Sequence, residues 1–479
     1  MGRTPATTGI AGREREGYGS PDLIACYPLS IMWGKCVRQN NECRRCLFVC
    51  CLPSGGTRMR LPIHEIVWVL VWVACVGWGR VGDAEPFPWP EPVVPQGLGA
   101  NIHFTTEQPG ELKMLADSGM TWIRMDFVWS RIEREPGKYD FGAYDRLVAD
   151  LERHRLRALF ILDYVNPHYD EGLSPYSETG RKAFARWVAA SVAHFKGRGI
   201  LWEMYNEPNI RFWRPEPNPE NYIKLAIEVG KAIRETAPEE RYIGPATSRI
   251  DMAFLEKCFQ GGLLKYWDAV SVHPYRQSPP ETVVPEYEAL RELIDRYAPS
   301  GKTIPIISGE WGYSAAWRNY DEQRQGKYLP RQWLINYSCG IPISIWYDWH
   351  DDGPDPHEPE HHFGMVAHPY RERAATCYEP KPAYVAAQTL TRTLAGYRYA
   401  EKITLPDADG VHVLRFRKGP SEAIAAWTQD LPSTTIAVPL PTGEYRLVGH
   451  LGEDRGRIRS GGAVSLEIGD APLYVVPVR

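Results

Sequence analysis

The chain of 479 residues is 43% hydrophobic and 24% charged, with a formal net charge of −4 at pH 7. That length supports one large core with a smaller second domain beside it. The balanced charge excludes the global basic field that nucleic-acid binding uses, so no nucleic-acid partner is expected.

Residues 1–58 have low periodicity, many turn formers and clustered cysteines, and are expected to be a non-native or disordered extension. Cys43, Cys46, Cys50 and Cys51 superficially suggest zinc, but their spacing is too short for a finger and no metal is expected there. Arg58-Met59-Arg60 precedes an uncharged apolar run over 66–79, and Gly82-Asp83-Ala84 supplies small residues around a cleavage after Ala84. This pattern predicts a signal peptide over 59–84, translation from Met59 and a mature chain starting near Glu85. The run is shorter than the roughly 20 residues of a spanning helix, so an uncleaved anchor is the weaker alternative and stable membrane insertion is not expected. Trp72-Val73-Ala74-Cys75 is a poor lipoprotein site, with Trp where Leu is usual. The product is expected to be secreted, periplasmic or on the cell surface. Residues 85–96 read as a Pro-stiffened leader. Cys258, Cys339 and Cys377 are too widely spaced for a disulfide framework.

From Gly97 the chain alternates short apolar runs with amphipathic stretches. Strands are expected at Gly97–His103, Trp122–Phe127, Ala158–Leu162, Ile200–Tyr205, Arg241–Gly244, Ala269–Val272, Ile304–Ser308 and Pro342–Trp346. Helices are expected at Glu111–Ser118, through Tyr144, Leu147, Val148 and Leu151, and around Phe184, Trp187, Val188 and Val192. Further helices run through Tyr222, Leu225, Ala226, Val229 and Ile233, near Leu290–Ile294, and around Ala383–Leu394. This alternation predicts a (β/α)8 TIM barrel of the α/β class over 97–395. An open doubly wound sheet would want a Gly-rich phosphate loop after strand one, and Asn101-Ile102-His103-Phe104 offers none. Short strands at Val411–Phe416, Ala423–Trp427, Thr435–Val438 and Leu473–Val476, separated by turn clusters such as 407–410 and 460–462, predict a small C-terminal β-sandwich over 396–479.

The active face of such a barrel lies beyond the strand C-termini. The polar residues there are Arg124, Asp126, Asp163, Tyr164, Asn206, Glu207, His273, Tyr275, Glu310 and Asp348, with Trp346 ending the eighth strand. Glu207 and Glu310 end strands that lie roughly opposite, so their carboxyls can face each other. Retaining glycoside hydrolysis needs two such groups about 5–5.5 Å apart, one to donate a proton and one to attack the anomeric carbon.

Tyr205-Asn206-Glu207-Pro208, Ser308-Gly309-Glu310-Trp311-Gly312 and the intervening His273-Pro274-Tyr275 resemble the clan A glycoside hydrolases, with likeness to families five and thirty-nine. The C-terminal β domain leans slightly toward family thirty-nine. The resemblance implies Glu207 as general acid/base and Glu310 as nucleophile. It implies that Asn206 bonds the sugar 2-hydroxyl, Arg124 keeps Glu310 ionised, and Tyr275 donates to Glu310. His273 would line the cleft or orient the acid/base, and Trp346 would be the platform for the sugar at the cleavage point. Trp129, Trp213, Trp311, Trp317 and Trp349 are further stacking candidates, while Asp126, Asp163 and Asp348 read first as structural. The expected activity is retaining hydrolysis of an O-glycosidic, β-linked bond in a poly- or oligosaccharide, with no cofactor. The alternatives are a catalytically silent carbohydrate-binding protein and a transglycosylase. The His- and carboxylate-rich stretch 349–362 could take a divalent cation, but reads first as a polar loop over the cleft.

Overall fold

The computed structural model describes residues 86–406 and 408–478; the expected extension, cysteine cluster and signal segment lie outside the described residues. Eight parallel strands close into a barrel: β1 (Leu98–Asn101), β2 (Trp122–Val128), β3 (Arg157–Asp163), β4 (Leu201–Met204), β5 (Arg241–Ser248), β6 (Ala269–His273), β7 (Ile306–Trp311) and β8 (Ser344–Trp346). The helices between and after them are α1 (Glu111–Asp117), a one-turn α2 (Trp129–Ile132), α3 (Gly142–Arg153), α4 (Glu178–His194), α5 (Pro219–Thr236), α6 (Met252–Gln260), α7 (Val284–Tyr297), α8 (Glu322–Ser338) and α9 (Pro382–Thr393). Closure comes from β1 pairing parallel with β8.

Period-two alternation sorts the strand side chains. Leu159, Ile161, Leu201, Ile243, Ala269, Ile307 and Ile345 fill the barrel interior. Phe160, Leu162, Trp202, Met204, Tyr242, Val270 and Val272 pack outward against the helices. Helices α6 and α8 were not anticipated. In α8 the apolar period is masked, because the helix contains Gly326 and Pro330 and buries Gln325, Arg331, Gln332 and Asn336. Those polar groups anchor it to neighbouring segments: Gln332 Nε2 donates to Trp311 O at 3.0 Å and Asn336 Nδ2 to Ser344 Oγ at 3.0 Å.

The leader closes the other end of the barrel. Phe87 and Trp89 pack against the interior cluster. Arg241 lies over the Trp89 ring at 4.4 Å, and Arg157 over Phe87 at 4.8 Å. Both arginines open their strands, so the aromatic pair seals the N-terminal mouth.

The C-terminal domain is one six-stranded antiparallel sheet of β9 (Arg398–Lys402), β10 (Val411–Lys418), β11 (Ser421–Thr428), β12 (Thr434–Val448), β13 (Asp454–Ile468) and β14 (Leu473–Pro477), in the order β13-β12-β14-β11-β10-β9. Ser460-Gly461-Gly462, expected as a turn, lies inside β13, at a register shift opposite Leu440 and Gly443. There the long hairpin turns back over the sheet, so Ile436, Val438, Val464 and Leu466 share one core with Val413, Ile424 and Val475. Arg415 Nη2 donates to Pro439 O at 2.9 Å, spanning two strands that are not neighbours in the sheet.

A buried charge network ties this sheet to the barrel. Arg331 on α8, 0% exposed, donates to Glu281 at 2.8 and 2.7 Å and to Asp430 Oδ1 at 2.8 Å. Trp427 Nε1 donates to Glu281 Oε1 at 2.7 Å. Removing one partner strands the other in a dry site. Glu281→Ala is therefore expected to destabilise the protein by about 3–5 kcal/mol, and Glu281→Gln by less. Urea denaturation would check this, and an unshifted midpoint for Glu281→Ala would reject the role given to the network.

Candidate active site

A cleft of about 650 Å³ opens beyond the strand C-termini, lined among others by Arg124, Asp126, Asn206, Glu207, Tyr275 and Glu310. Arg124, on β2 and 1% exposed, sits at its centre. Nε donates to Glu203 Oε2 at 2.7 Å, Nη1 to Asn101 Oδ1 at 3.2 Å, and Nη2 to Asn206 Oδ1 at 2.8 Å. Nη1 also pairs with Glu310 Oε2. Tyr275 OH donates to the other Glu310 oxygen at 2.8 Å. Both oxygens of Glu310 are thus held by donors, which fixes its orientation.

Around Glu207 the protons can be placed. Arg124 Nη2 lies 3.2 Å from His273 Nε2. A guanidinium can only donate, so Nε2 accepts and the proton sits on Nδ1. His273 Nδ1 then donates to Glu207 Oε1 at 3.0 Å. Burial pushes His273 down to about 4, which keeps the ring neutral near pH 7. Burial pushes Glu207 up to about 7, against the opposing pull of Arg124. The backbone contributes too: Glu207 is held at φ 44°, in the left-handed region, and its N–H donates to Ala246 O at 2.9 Å. One oxygen from each of Glu207 and Glu310 and a ring nitrogen of His273 all lie within 4.8 Å of one another.

The glycines of Gly309-Glu310-Trp311-Gly312 are required by close approach. A Cβ at Gly309 would stand 2.3 Å from Ser271 Oγ and 2.9 Å from Glu203 Oε1; one at Gly312 would stand 1.8 Å from Tyr347 O.

The structure brings Arg124, Asn206, Glu207, His273, Tyr275 and Glu310 together. His273 is fully buried and contacts Glu207 rather than lining the cleft. Trp346 is not in the cleft. It is 0% exposed, packs outward against the helices and donates from Nε1 to Phe363 O at 3.2 Å. Ile345 points into the barrel, so strand alternation turns Trp346 away and brings the following residue, Tyr347, to the cleft wall. Trp129, Trp213, Trp311 and Trp349 are likewise buried; Trp317 and Tyr164 line the cleft. Burial and the charge of neighbouring Asp126 push Asp163 well above the usual carboxylate range.

Sequence reasoning passed over Glu203. Fully buried on β4, it pairs with Arg124 and accepts from Ser271 Oγ. Its one signal was a glutamate inside the otherwise apolar Leu201-Trp202-Glu203-Met204.

The model of the Cellulase family, glycosyl hydrolase family 5, matches residues 96–353, more than half of the chain. The chain belongs to this family. It is therefore a clan A glycoside hydrolase, a clan of retaining enzymes that work through two glutamates, and its substrate is a carbohydrate. Solved structures of similar fold include a family 39 glycoside hydrolase from Bacteroides cellulosilyticus, 23% identical with a TM-score of 0.71, covering 82% of this chain and 83% of that one. A family 39 β-xylosidase from Caulobacter crescentus is 17% identical with a TM-score of 0.61, covering 82% of this chain and 98% of that one. At these identities the family 39 likeness is one of fold. A curated relative, the 6-phospho-beta-glucosidase of Dickeya chrysanthemi, is 26% identical over 124 residues, a match spanning 24% of this chain and 26% of that enzyme. No helix among the described residues is long and apolar enough to cross a membrane.

Proposed function

We propose that this glycosidase hydrolyses a β-linked poly- or oligosaccharide outside the cytoplasm, with Glu310 as nucleophile and Glu207 as general acid/base. The observation that carries the assignment is the close approach of the two carboxylates, within 4.8 Å at their nearest oxygens. That spacing fits direct attack; inversion requires roughly 6.5–9.5 Å to admit a water. Glu310, gripped by Arg124 and Tyr275, attacks the anomeric carbon. Protonated Glu207 gives its proton to the leaving oxygen, then takes one from the water that releases the sugar. Asn206 Oδ1 accepts from Arg124 Nη2, which leaves the Asn206 amide N–H groups for the sugar 2-hydroxyl. Tyr347, Trp317 and Tyr164 offer ring faces to the sugar chain.

A β bond is supported by the names of relatives, a β-xylosidase and a 6-phospho-beta-glucosidase. Action outside the cytoplasm is supported by the 59–84 segment. A panel of aryl β-glycosides and polysaccharides tests the reading, with the first-released anomer followed by NMR. Release of the β anomer is expected. Release of the α anomer would refute retention at a β bond, and binding without reducing-sugar release would make the protein a silent carbohydrate binder.

A further inference from the structure

We propose that His103, Asp348 and Asp352 form a binding site for a divalent transition cation at the edge of the cleft, apart from the two-glutamate machinery. A ring nitrogen of His103 and one oxygen from each aspartate lie within 4.8 Å of one another. Small side-chain shifts would bring that set onto one ion. Mixed imidazole and carboxylate donors suit Mn²⁺ or Zn²⁺ better than Ca²⁺, which prefers an all-oxygen shell.

The independent observation is the state of Asp348. It is 1% exposed, yet neither of its carboxylate oxygens accepts a hydrogen bond. Buried polar groups are almost always satisfied, and a buried carboxylate left without donors is costly. Among the described residues the one basic group within ion-pair distance is His103 Nε2, 3.4 Å from Oδ2. Asn101 Nδ2 lies 3.5 Å from that same nitrogen.

Charge points the same way. One carboxylate oxygen from each of Asp348 and Asp352 lies within 4.8 Å of a His103 ring nitrogen. Two carboxylates thus face one imidazole, an excess of negative charge that a dication would neutralise.

The position gives the site a use. His103 and Tyr347 meet edge to face at 5.7 Å, and Tyr347 meets Phe363 at 5.3 Å, all three on the cleft wall. Asp352 lies near the start of the His- and carboxylate-rich loop. A cation bound by Asp352 on this loop and by His103, just after β1, would pin that wall in place.

The test is titration of the chelator-treated full chain with Mn²⁺, a probe with low affinity for thiolates. Free Mn²⁺ is followed by electron paramagnetic resonance and heat by calorimetry, both independent of turnover. One Mn²⁺ per chain is expected. His103→Ala and Asp352→Asn should each weaken binding about tenfold or more, while His357→Ala in the same loop should not. Circular dichroism melts would check that the variants fold. Absence of binding to the wild type would overturn the site and leave His103 and Asp348 as a plain ion pair. Binding unchanged in the first two variants, or lost only with His357→Ala, would overturn the assignment as well.

Discussion

Glu310→Ala is expected to lower kcat on an aryl β-glycoside by about 10⁵-fold, roughly 7 kcal/mol of lost transition-state stabilisation. The magnitude follows from how the side chain is held. Arg124 Nη1 grips one oxygen, and Tyr275 OH grips the other at 2.8 Å. Glu203, the other carboxylate on Arg124, does not replace the attacking atom, because it is fully buried and bonded to Ser271. The shortened side chain leaves room for a small anion beside the anomeric carbon. Added azide should then restore slow turnover and give the α-glycosyl azide, the inverted product. Calorimetric melting of the variant would show that the fold persists. Residual activity above about 1% of wild type, or a β-glycosyl azide product, would move the nucleophile elsewhere.

The catalytic pair was legible because Glu207 follows β4 and Glu310 lies at the end of β7, strands whose apolar runs are clear in the sequence. Other features were hidden for physical reasons. Helix α8 spends its buried face on Gln325, Arg331, Gln332 and Asn336, which bond backbone and side chains across segments, so it carries little apolar period. Trp346 was placed in the cleft because it ends the eighth strand, but which face a strand's last residue shows depends on register. Ile345 inward puts Trp346 outward and leaves Tyr347 at the cleft wall. Glu203 was read as strand filling, since nothing local tells that its partner is Arg124, 79 residues earlier. The same limit hid the role of Phe87 and Trp89, whose partners Trp122, Arg157 and Arg241 lie on other strands. What local pattern reveals is where a strand ends; what it withholds is which distant side chains meet there.

Glu207→Ala should separate the two chemical steps. Removing a positioned acid/base typically costs about 10²–10⁴-fold. That loss should appear in full on substrates with poor leaving groups and far less on activated aryl glycosides, because Glu310 can still form the intermediate. Azide should then accelerate release and give the β-glycosyl azide, the retained product and the opposite of the Glu310→Ala outcome. The pH profile supplies a further sign. Burial pushes Glu207 up to about 7, and the acid works only while protonated. In the wild type kcat/KM should therefore hold below pH 7 and fall about tenfold per unit above it. His273, pushed down to about 4, stays neutral through that window and leaves the limb to Glu207. On an activated substrate the alkaline limb should vanish in Glu207→Ala and also in Glu207→Gln, which keeps the hydrogen-bonding shape without the titrating proton. An alkaline limb that survives both substitutions would assign the proton donor to another group.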